Sequence, residues 1–228
     1  VIAWTANPSW LSGVAYDAAA RQHRIDTRRA PSVTQVIDAR YPDRFARVDR
    51  AVLARKARLG TAVHLAAQYD AEGTLDESSV SAAVSPRLAA WRWFRQSRRV
   101  QPLLCEAVIC SRDLALDPLD RRPYCGRLDF LCLVDRRQLV LLDLKTGSPA
   151  FARLQTIGYL DALYQQYPHL IREDVQRWAV QLQDGRYRVE TFRDDALDAR
   201  DYRAALAHAY ALSTWRDDDA CAPVRSAR

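Results

Sequence analysis

Residues 126–145 read GRLDFLCLVDRRQLVLLDLK, two apolar strand-like runs that are each interrupted by an aspartate. Leu, Val and Phe on both alternating faces of 128–134 and 138–144 are the pattern of strands covered on both sides. A carboxylate inside such a run carries a desolvation penalty unless a cation offsets it. Asp129 and Asp143 are the carboxylates in question, and a bound metal ion is a cation that would account for both.

Side chains alternate along a strand, so Asp143 and Lys145, two residues apart, share a face. Where Asp129 points depends on the turn between the runs. A three-residue loop of Asp135, Arg136 and Arg137 pairs Val134 with Gln138 and, counting back, sets Asp129 opposite Asp143. A two-residue loop pairs Asp129 with Leu142 instead and sends the acids to opposite faces. The metal-site reading therefore predicts an odd-length loop.

Two carboxylates and an ammonium on one sheet face make a hard-cation site with a proton donor or charge stabiliser beside it. Mg²⁺ or Mn²⁺ takes such oxygen ligands, keeps several waters, and presents one of them as a nucleophile to a phosphodiester. Lys145 is then placed to orient or activate that water and to screen charge developing at phosphorus. It is one of only two lysines among 34 basic residues, the other being Lys56. Arginine is bulkier, planar and in effect never deprotonated, so it does not replace an ammonium that exchanges a proton or fits a tight corner.

Asp129 followed, after a strand turn, by Asp143-Leu144-Lys145 resembles the signature of the PD-(D/E)XK nuclease superfamily. Gln155 and Tyr159, ten and fourteen residues beyond Lys145, resemble the QxxxY element of its RecB-like exonuclease branch, of phage and bacterial type. Gly60-Thr61-Ala62-Val63-His64 resembles the GxxxH element that this branch carries upstream, and Pro31-Ser32-Val33-Thr34 is similar to a segment ahead of its first core helix. The order and spacing of the pieces, rather than any one of them, carry the resemblance.

The resemblance implies an α/β fold with a restriction-endonuclease-like core, in which a mixed central β-sheet is flanked by helices. It implies a single nuclease domain over 1–228, with a mainly helical N-terminal part over 1–100 and a sheet-containing catalytic core over 101–228. Asp129, Asp143, His64 and the Leu144 carbonyl are the implied ligands of one or two Mg²⁺ or Mn²⁺ ions. Lys145 is the implied charge stabiliser or water-orienting group, and Gln155 and Tyr159 orient the site or hold DNA near it. Glu106, in the first core strand, is either a third acidic member of the catalytic set or the neutraliser of a nearby arginine. The implied reaction is hydrolysis of DNA phosphodiester bonds, exonucleolytic at duplex ends or on single strands in recombination or repair, alongside a recombination or repair partner protein. A non-catalytic nucleic-acid-binding module on the same fold and a site-specific endonuclease are the alternatives. Some RecB-like nucleases hold an iron-sulfur cluster with a cysteine trio near the C-terminus; here only Cys221 lies there, so no iron-sulfur cluster is expected.

Composition narrows the remaining classes. With 228 residues, 49% of them hydrophobic, the chain has the means to bury one sizeable core, and disorder is excluded. No apolar run approaches a membrane span and no secretion signal opens the chain, so no membrane partner is expected. The chain starts at Val1 and contains no methionine, so its native beginning is expected to be absent or altered. A net charge of +6 favours a polyanionic partner. The five cysteines are odd in number, lack a CxxC pair and sit mostly in apolar runs; they read as reduced core residues of a cytoplasmic protein in a bacterial or phage-infected cell. Cys105 and Cys110 fall on opposite faces of a regular strand and should not pair.

Along the rest of the chain, a turn at 8–13 leads into a predicted helix over 14–24, and Arg21, Arg24, Arg28 and Arg29 form either a phosphate-facing edge or a solvated face. Ser32 suits a helix cap. A helix over 55–69 carries Gly60 and His64 on one face, with small residues that permit a close approach to the sheet. A helix over 87–99 interleaves Trp91, Trp93 and Phe94 with arginines, a pattern that fits core packing better than base stacking. A strand over 103–110, a helix over 150–167, a hairpin of 177–182 with 187–192 turned by Asp184-Gly185, and a helix over 201–215 complete the pattern. The acidic Asp217-Asp218-Asp219 reads as exposed, and the tail from Cys221 as loose.

Overall fold

The apolar runs become the centre of a sheet, and the amphipathic stretches cover it. The computed structural model describes residues 11–17, 22–26, 28–112, 122–170 and 175–212. In chain order the elements are β1 (Val14–Asp17), β2 (Gln22–Ile25), β3 (Arg28–Ala30), α1 (Val33–Arg40), α2 (Arg50–Glu72), α3 (Ser85–Ser97), β4 (Gln101–Ser111), β5 (Tyr124–Val134), β6 (Gln138–Lys145), α4 (Ala152–Gln166), β7 (Val175–Leu182), β8 (Tyr187–Phe192) and α5 (Asp195–Ala211), with short 3₁₀ turns at Pro42–Phe45 and Glu77–Ser79. Strands β4 to β8 form one mixed sheet in sequential order, antiparallel except where β6 and β7 run parallel. Parallel neighbours need a crossover connection, and α4 supplies it. The chain thus forms an α/β architecture with a five-stranded mixed sheet between helices.

Each face of the sheet has its own core. Against one face, α1, α4 and α5 bury Ile37, Ile157, Leu160 and Tyr202 over Leu128, Leu131 and Leu141. Against the other, α2 and α3 bury Val63, Trp91 and Phe94 over Phe130, Cys132, Val140, Leu142 and Leu144. Trp91 stacks on Phe130 with ring centroids 4.8 Å apart, so the aromatics of α3 go mainly to packing. Its arginines go to ion pairs: Arg92 Nε and Arg95 Nη1 lie 2.6 and 2.7 Å from the Asp70 carboxylate.

Helix starts follow local capping chemistry. Ser32 and Gln35 form a reciprocal capping box at the start of α1, each side chain bonding the other's backbone N–H. The Asp49 carboxylate accepts from the N–H groups of Ala51 and Val52 at the start of α2, and Gly73, at φ 71°, ends it in the left-handed conformation that glycine tolerates. Arg177, fully buried on β7, donates to Asp195 Oδ1 at 2.7 Å, to Asp198 Oδ2 at 2.8 Å and to the Arg153 carbonyl at 2.9 Å, tying α4 and α5 to the sheet.

The turn between β5 and β6 has the odd length the metal-site reading predicts. Val134 pairs with Gln138, and the register continues through Phe130 opposite Leu142. Asp135 and Arg136 take positive φ values of 50° and 62° within the turn.

Two expectations are overturned. The segment over 14–24 is not a helix: among the described residues it forms β1 and β2, which with β3 make an antiparallel three-stranded sheet, so the 1–100 region is less helical than predicted. The pairing of Val14–Asp17 with Gln22–Ile25 is cross-strand and invisible to local periodicity. Arg24, Arg28 and Arg29 are exposed on these strands rather than on a helix face. The cysteines are not all reduced: Cys110 and Cys125 are joined in a disulfide across β4 and β5, where the register sets them face to face with Cα atoms 4.1 Å apart. Cys105 and Cys132 are free, and Cys105 does not pair with Cys110, as their strand spacing requires. Cysteine usage therefore gives no support to a reducing compartment. Among the described residues no helix is long and apolar enough to cross a membrane.

The C-terminal helix begins at Asp195, earlier than the predicted residue 201, because Asp194 caps it by accepting from the Leu197 N–H. Arg21, the opening turn at 8–10, the helix end at 213–215, Asp217 to Asp219 and Cys221 lie outside the described residues.

Candidate active site

Three neighbouring strands each deliver one acid at the same level of the sheet. On β4 and β5 the pairs Cys105 with Phe130 and Ala107 with Leu128 bracket Glu106 and Asp129, and the pair Phe130 with Leu142 leads to Asp129 and Asp143. The strands are irregular at this level. Leu128 and Phe130 would share a face on a regular strand, yet they lie in opposite cores, so β5 switches faces at Asp129. Its neighbour Glu106 has a φ of 46°, the left-handed region that a non-glycine residue occupies only when its surroundings hold it there. The β5–β6 ladder also opens: the Leu144 N–H donates to Asp129 Oδ2 at 2.6 Å.

Burial makes these charges costly. Asp129 and Asp143 are only 8% and 2% exposed. Lys145 answers one of them, its Nζ standing 2.7 Å from Asp143 Oδ2 on the shared face that strand alternation predicts. His64, on α2, answers the other. Its Nδ1 lies 3.3 Å from Asp129 Oδ1 and 3.7 Å from Glu106 Oε1, and its Nε2 lies 3.1 Å from the Leu144 carbonyl oxygen. Both ring nitrogens face acceptors, which is the environment of an imidazolium donating from each side. Gly60, one turn before His64, lies near the end of β6, where a Cβ would make only an ordinary 3.4 Å contact with Thr146 Oγ1.

The proton affinities follow from this geometry. Burial opposes a charge on His64, but the Asp129 carboxylate beside it, together with that of Glu106, outweighs burial and raises its pKa to about 10. Burial likewise works against ionised Asp129, and the charges of His64 and Lys145 with the Leu144 N–H hold its pKa below the ordinary value. Asp143 goes the other way: burial, then the neighbouring Asp129 charge, push its carboxyl up to about 6 against the pull of Lys145. Burial, followed by the charges of Asp143, Asp129 and Glu106, drives the Tyr159 hydroxyl well above its ordinary pKa.

Tyr159 and Gln155 are on α4, one turn apart. Tyr159 is packed against Gly126, and Gln155 bonds to its hydroxyl and stands 3.5 Å from Thr34 Oγ1. The structure thus gathers His64, Glu106, Asp129, Asp143, Leu144, Lys145, Gln155 and Tyr159 around the point where β5 and β6 separate. Glu106 lies beside His64, its Oε1 3.7 Å from His64 Nδ1, and pairs with Arg127 at 2.9 Å. Asp143 is set apart from the other acids by its contact with Lys145, and the Leu144 carbonyl here faces His64 Nε2.

A cleft of about 790 Å³ opens over His64, Glu106, Asp129 and Tyr159, walled by α1 through Thr34 and Asp38, by α2 through Thr61 and Leu65, and by β1 and β2 through Tyr16 and His23. Sequence reasoning missed Arg127, Tyr16 and His23. Arg127 had a legible signal, a charge within an apolar run two residues before Asp129; the other two had none, because their strand pairing is not visible locally.

The donor set suits a hard or borderline divalent cation. His64, Glu106 and Asp129 each offer a ligand atom, and these atoms all lie within 4.8 Å of one another. Oxygen donors with one imidazole fit Mg²⁺ or Mn²⁺ chemistry. A scan against protein-family models and a search of the curated proteins find no match to this chain.

Proposed function

We propose that the chain is a Mg²⁺- or Mn²⁺-dependent deoxyribonuclease that hydrolyses DNA phosphodiester bonds, acting as an exonuclease on DNA ends or single strands. The observation that carries this reading is the convergence of His64, Glu106 and Asp129 in an open cleft, with the Asp143–Lys145 pair on the strand next to Asp129. The fold reading that accompanies it is a restriction-endonuclease-like core, supported by the order, after the small β1–β3 sheet, of helices, strand, hairpin, helix, hairpin and helix. Recombination or repair is the setting that goes with the resemblance to RecB-like nucleases, and a partner protein from those processes is the expected companion.

In this reading His64, Glu106, Asp129 and Asp143 hold the metal, which when bound supplies an activated water and a Lewis-acid contact to the phosphate. The residues divide the remaining work. Lys145 sits where its ammonium can orient the attacking water and screen charge on the phosphorane oxygens. Asp143 fixes the Lys145 amine by its 2.7 Å contact. The Leu144 N–H and His64 fix the two oxygens of Asp129, so that carboxylate is held before any ligand arrives. Tyr159, stiffened by Gly126 and Gln155, forms a wall beside the acids.

The test is incubation of the purified protein with end-labelled single- and double-stranded DNA in Mg²⁺ or Mn²⁺. Cleavage that chelation stops, that Asp143→Asn abolishes and that Lys145→Ala slows by about 10²-fold or more, is the expected result. DNA binding without cleavage in either metal would overturn the enzyme in favour of a non-catalytic binding module. Cutting of closed circular DNA at fixed sites would replace exonuclease action with endonuclease action.

A further inference from the structure

The wall of the cleft formed by the three-stranded sheet carries a pair of rings that the catalytic set does not use. Tyr16 on β1 and His23 on β2 are cross-strand partners, with ring centroids 4.7 Å apart and planes tilted by 41°. Tyr16 is 54% exposed and lines the cleft. His23 is only 8% exposed, and among the described residues its Nδ1 has no hydrogen-bond partner. A buried, unpartnered ring nitrogen at the wall of a cleft costs stability unless a ligand completes it. Burial, and then the nearby Arg127 charge, lower the pKa of His23, so the imidazole is neutral near pH 7.

Arg127 links this wall to the acids. It lines the same cleft, its Nε lies 2.9 Å from Glu106 Oε2, and its side chain is 66% exposed. Tyr16, His23 and Arg127 thus line the same cleft, with Tyr16 beside His23 and Arg127 beside Glu106.

We propose that Tyr16, His23 and Arg127 form a nucleotide subsite for single-stranded DNA, in which an unpaired base stacks on Tyr16, its polar edge meets His23 Nδ1, and the adjoining phosphate meets Arg127. The choice of DNA as occupant rests on the nuclease reading of the cleft. A paired base offers no free face to such a platform, whereas a base in a single strand does. Stacking is tolerant of base identity, so the subsite positions a strand and does not read its sequence.

The experiment measures binding alone, by fluorescence anisotropy of a labelled single-stranded oligonucleotide, with Ca²⁺ in place of Mg²⁺. Tyr16→Ala weakens binding about tenfold, and Tyr16→Trp retains it. An abasic residue scanned along the strand finds a position where loss of the base weakens the wild-type protein by a similar factor and leaves Tyr16→Ala unchanged. Equal binding by wild type and Tyr16→Ala overturns the subsite, as does an abasic effect that is the same in both proteins, or failure of the wild type to bind a single strand. A wild-type chain that binds as described and never cleaves in Mg²⁺ or Mn²⁺ strikes the nuclease reading and leaves the subsite standing.

Discussion

His64 Nδ1 lies 3.3 Å from Asp129 Oδ1, so a proton on the imidazole occupies the position a metal ion would need to reach both ligands. Metal and proton therefore compete. With the His64 pKa raised to about 10, the ion must displace a proton at any pH near neutrality. Affinity for Mn²⁺ is expected to rise by up to about tenfold per pH unit between pH 6.5 and 9, with about one proton released per ion bound. Calorimetry in buffers of different ionisation enthalpy checks this. An affinity independent of pH over that range would remove His64 from the ligand set.

The same proton links the metal-free fold to pH. An ordinary histidine titrates at 6.5, and His64 in the folded chain at about 10. The folded state keeps a proton that the unfolded chain gives up, so the stabilisation is fully present below pH 6.5 and is lost as pH rises through about 10. In the presence of chelator, the urea midpoint is expected to fall across this window. His64→Gln should flatten the fall, since a side chain that does not titrate has no such linkage.

Asp143 shows the opposite use of burial. Its carboxyl is raised from 3.8 to about 6, so whatever stability it contributes is fully present below 3.8 and lost as pH rises through about 6. At pH 7 its ionised form is a cost to the metal-free fold. Asp143→Asn is expected to stabilise the chelated protein at pH 7 by about 1 kcal/mol, after part of the gain is offset by leaving Lys145 without its partner. The same substitution should abolish cleavage. Thermal melts with and without Mn²⁺ separate the effects: the variant melts higher without metal and gains less from it.

Lys145 is the second point at which chemistry and stability diverge. Lys145→Ala is expected to lower the cleavage rate by about 10²- to 10⁴-fold, the range of a proton-transfer or water-positioning group, with little change in DNA affinity in Ca²⁺. Lys145→Arg should not restore the rate, because the planar guanidinium neither fits the 2.7 Å contact with Asp143 in the same way nor exchanges its proton. Single-turnover cleavage with excess enzyme measures the chemical step directly. Full activity in Lys145→Arg would reduce Lys145 to a simple counter-charge.

The centre of this site was legible because it lies in one hairpin. The register of β5 against β6 follows from the length of one turn, and the Asp143–Lys145 contact from strand alternation alone. Other parts depend on distant pairing. The face switch at Asp129 and the positive φ of Glu106 arise between β4 and β5, across a connection whose length hides the register. That register also brings Cys110 to Cys125, so counting cysteines could not reveal the disulfide. The segment holding Tyr16 and His23 reads locally as a helix for a related reason: only the pairing of Val14–Asp17 with Gln22–Ile25 across the small sheet makes strands of these residues.

Gly126 has a packing role that couples the fold to the site. A Cβ there would stand 2.6 Å from Tyr159 Cε1 and 2.9 Å from Cδ1, with Val33 Cγ2 at 3.1 Å on the other side. Tyr159 is buried and bonded to Gln155, so it has little room to yield. Gly126→Ala is expected to cost about 1–3 kcal/mol by overpacking and to slow cleavage by moving the Tyr159 ring relative to the acids. Tyr159→Leu alone should destabilise the chain, but in that background the added methyl has space. The double variant should therefore be more stable than the sum of the single effects, as expected for residues in direct contact. Chemical denaturation of the four proteins measures the coupling, and strict additivity would show that the ring is not what Gly126 accommodates.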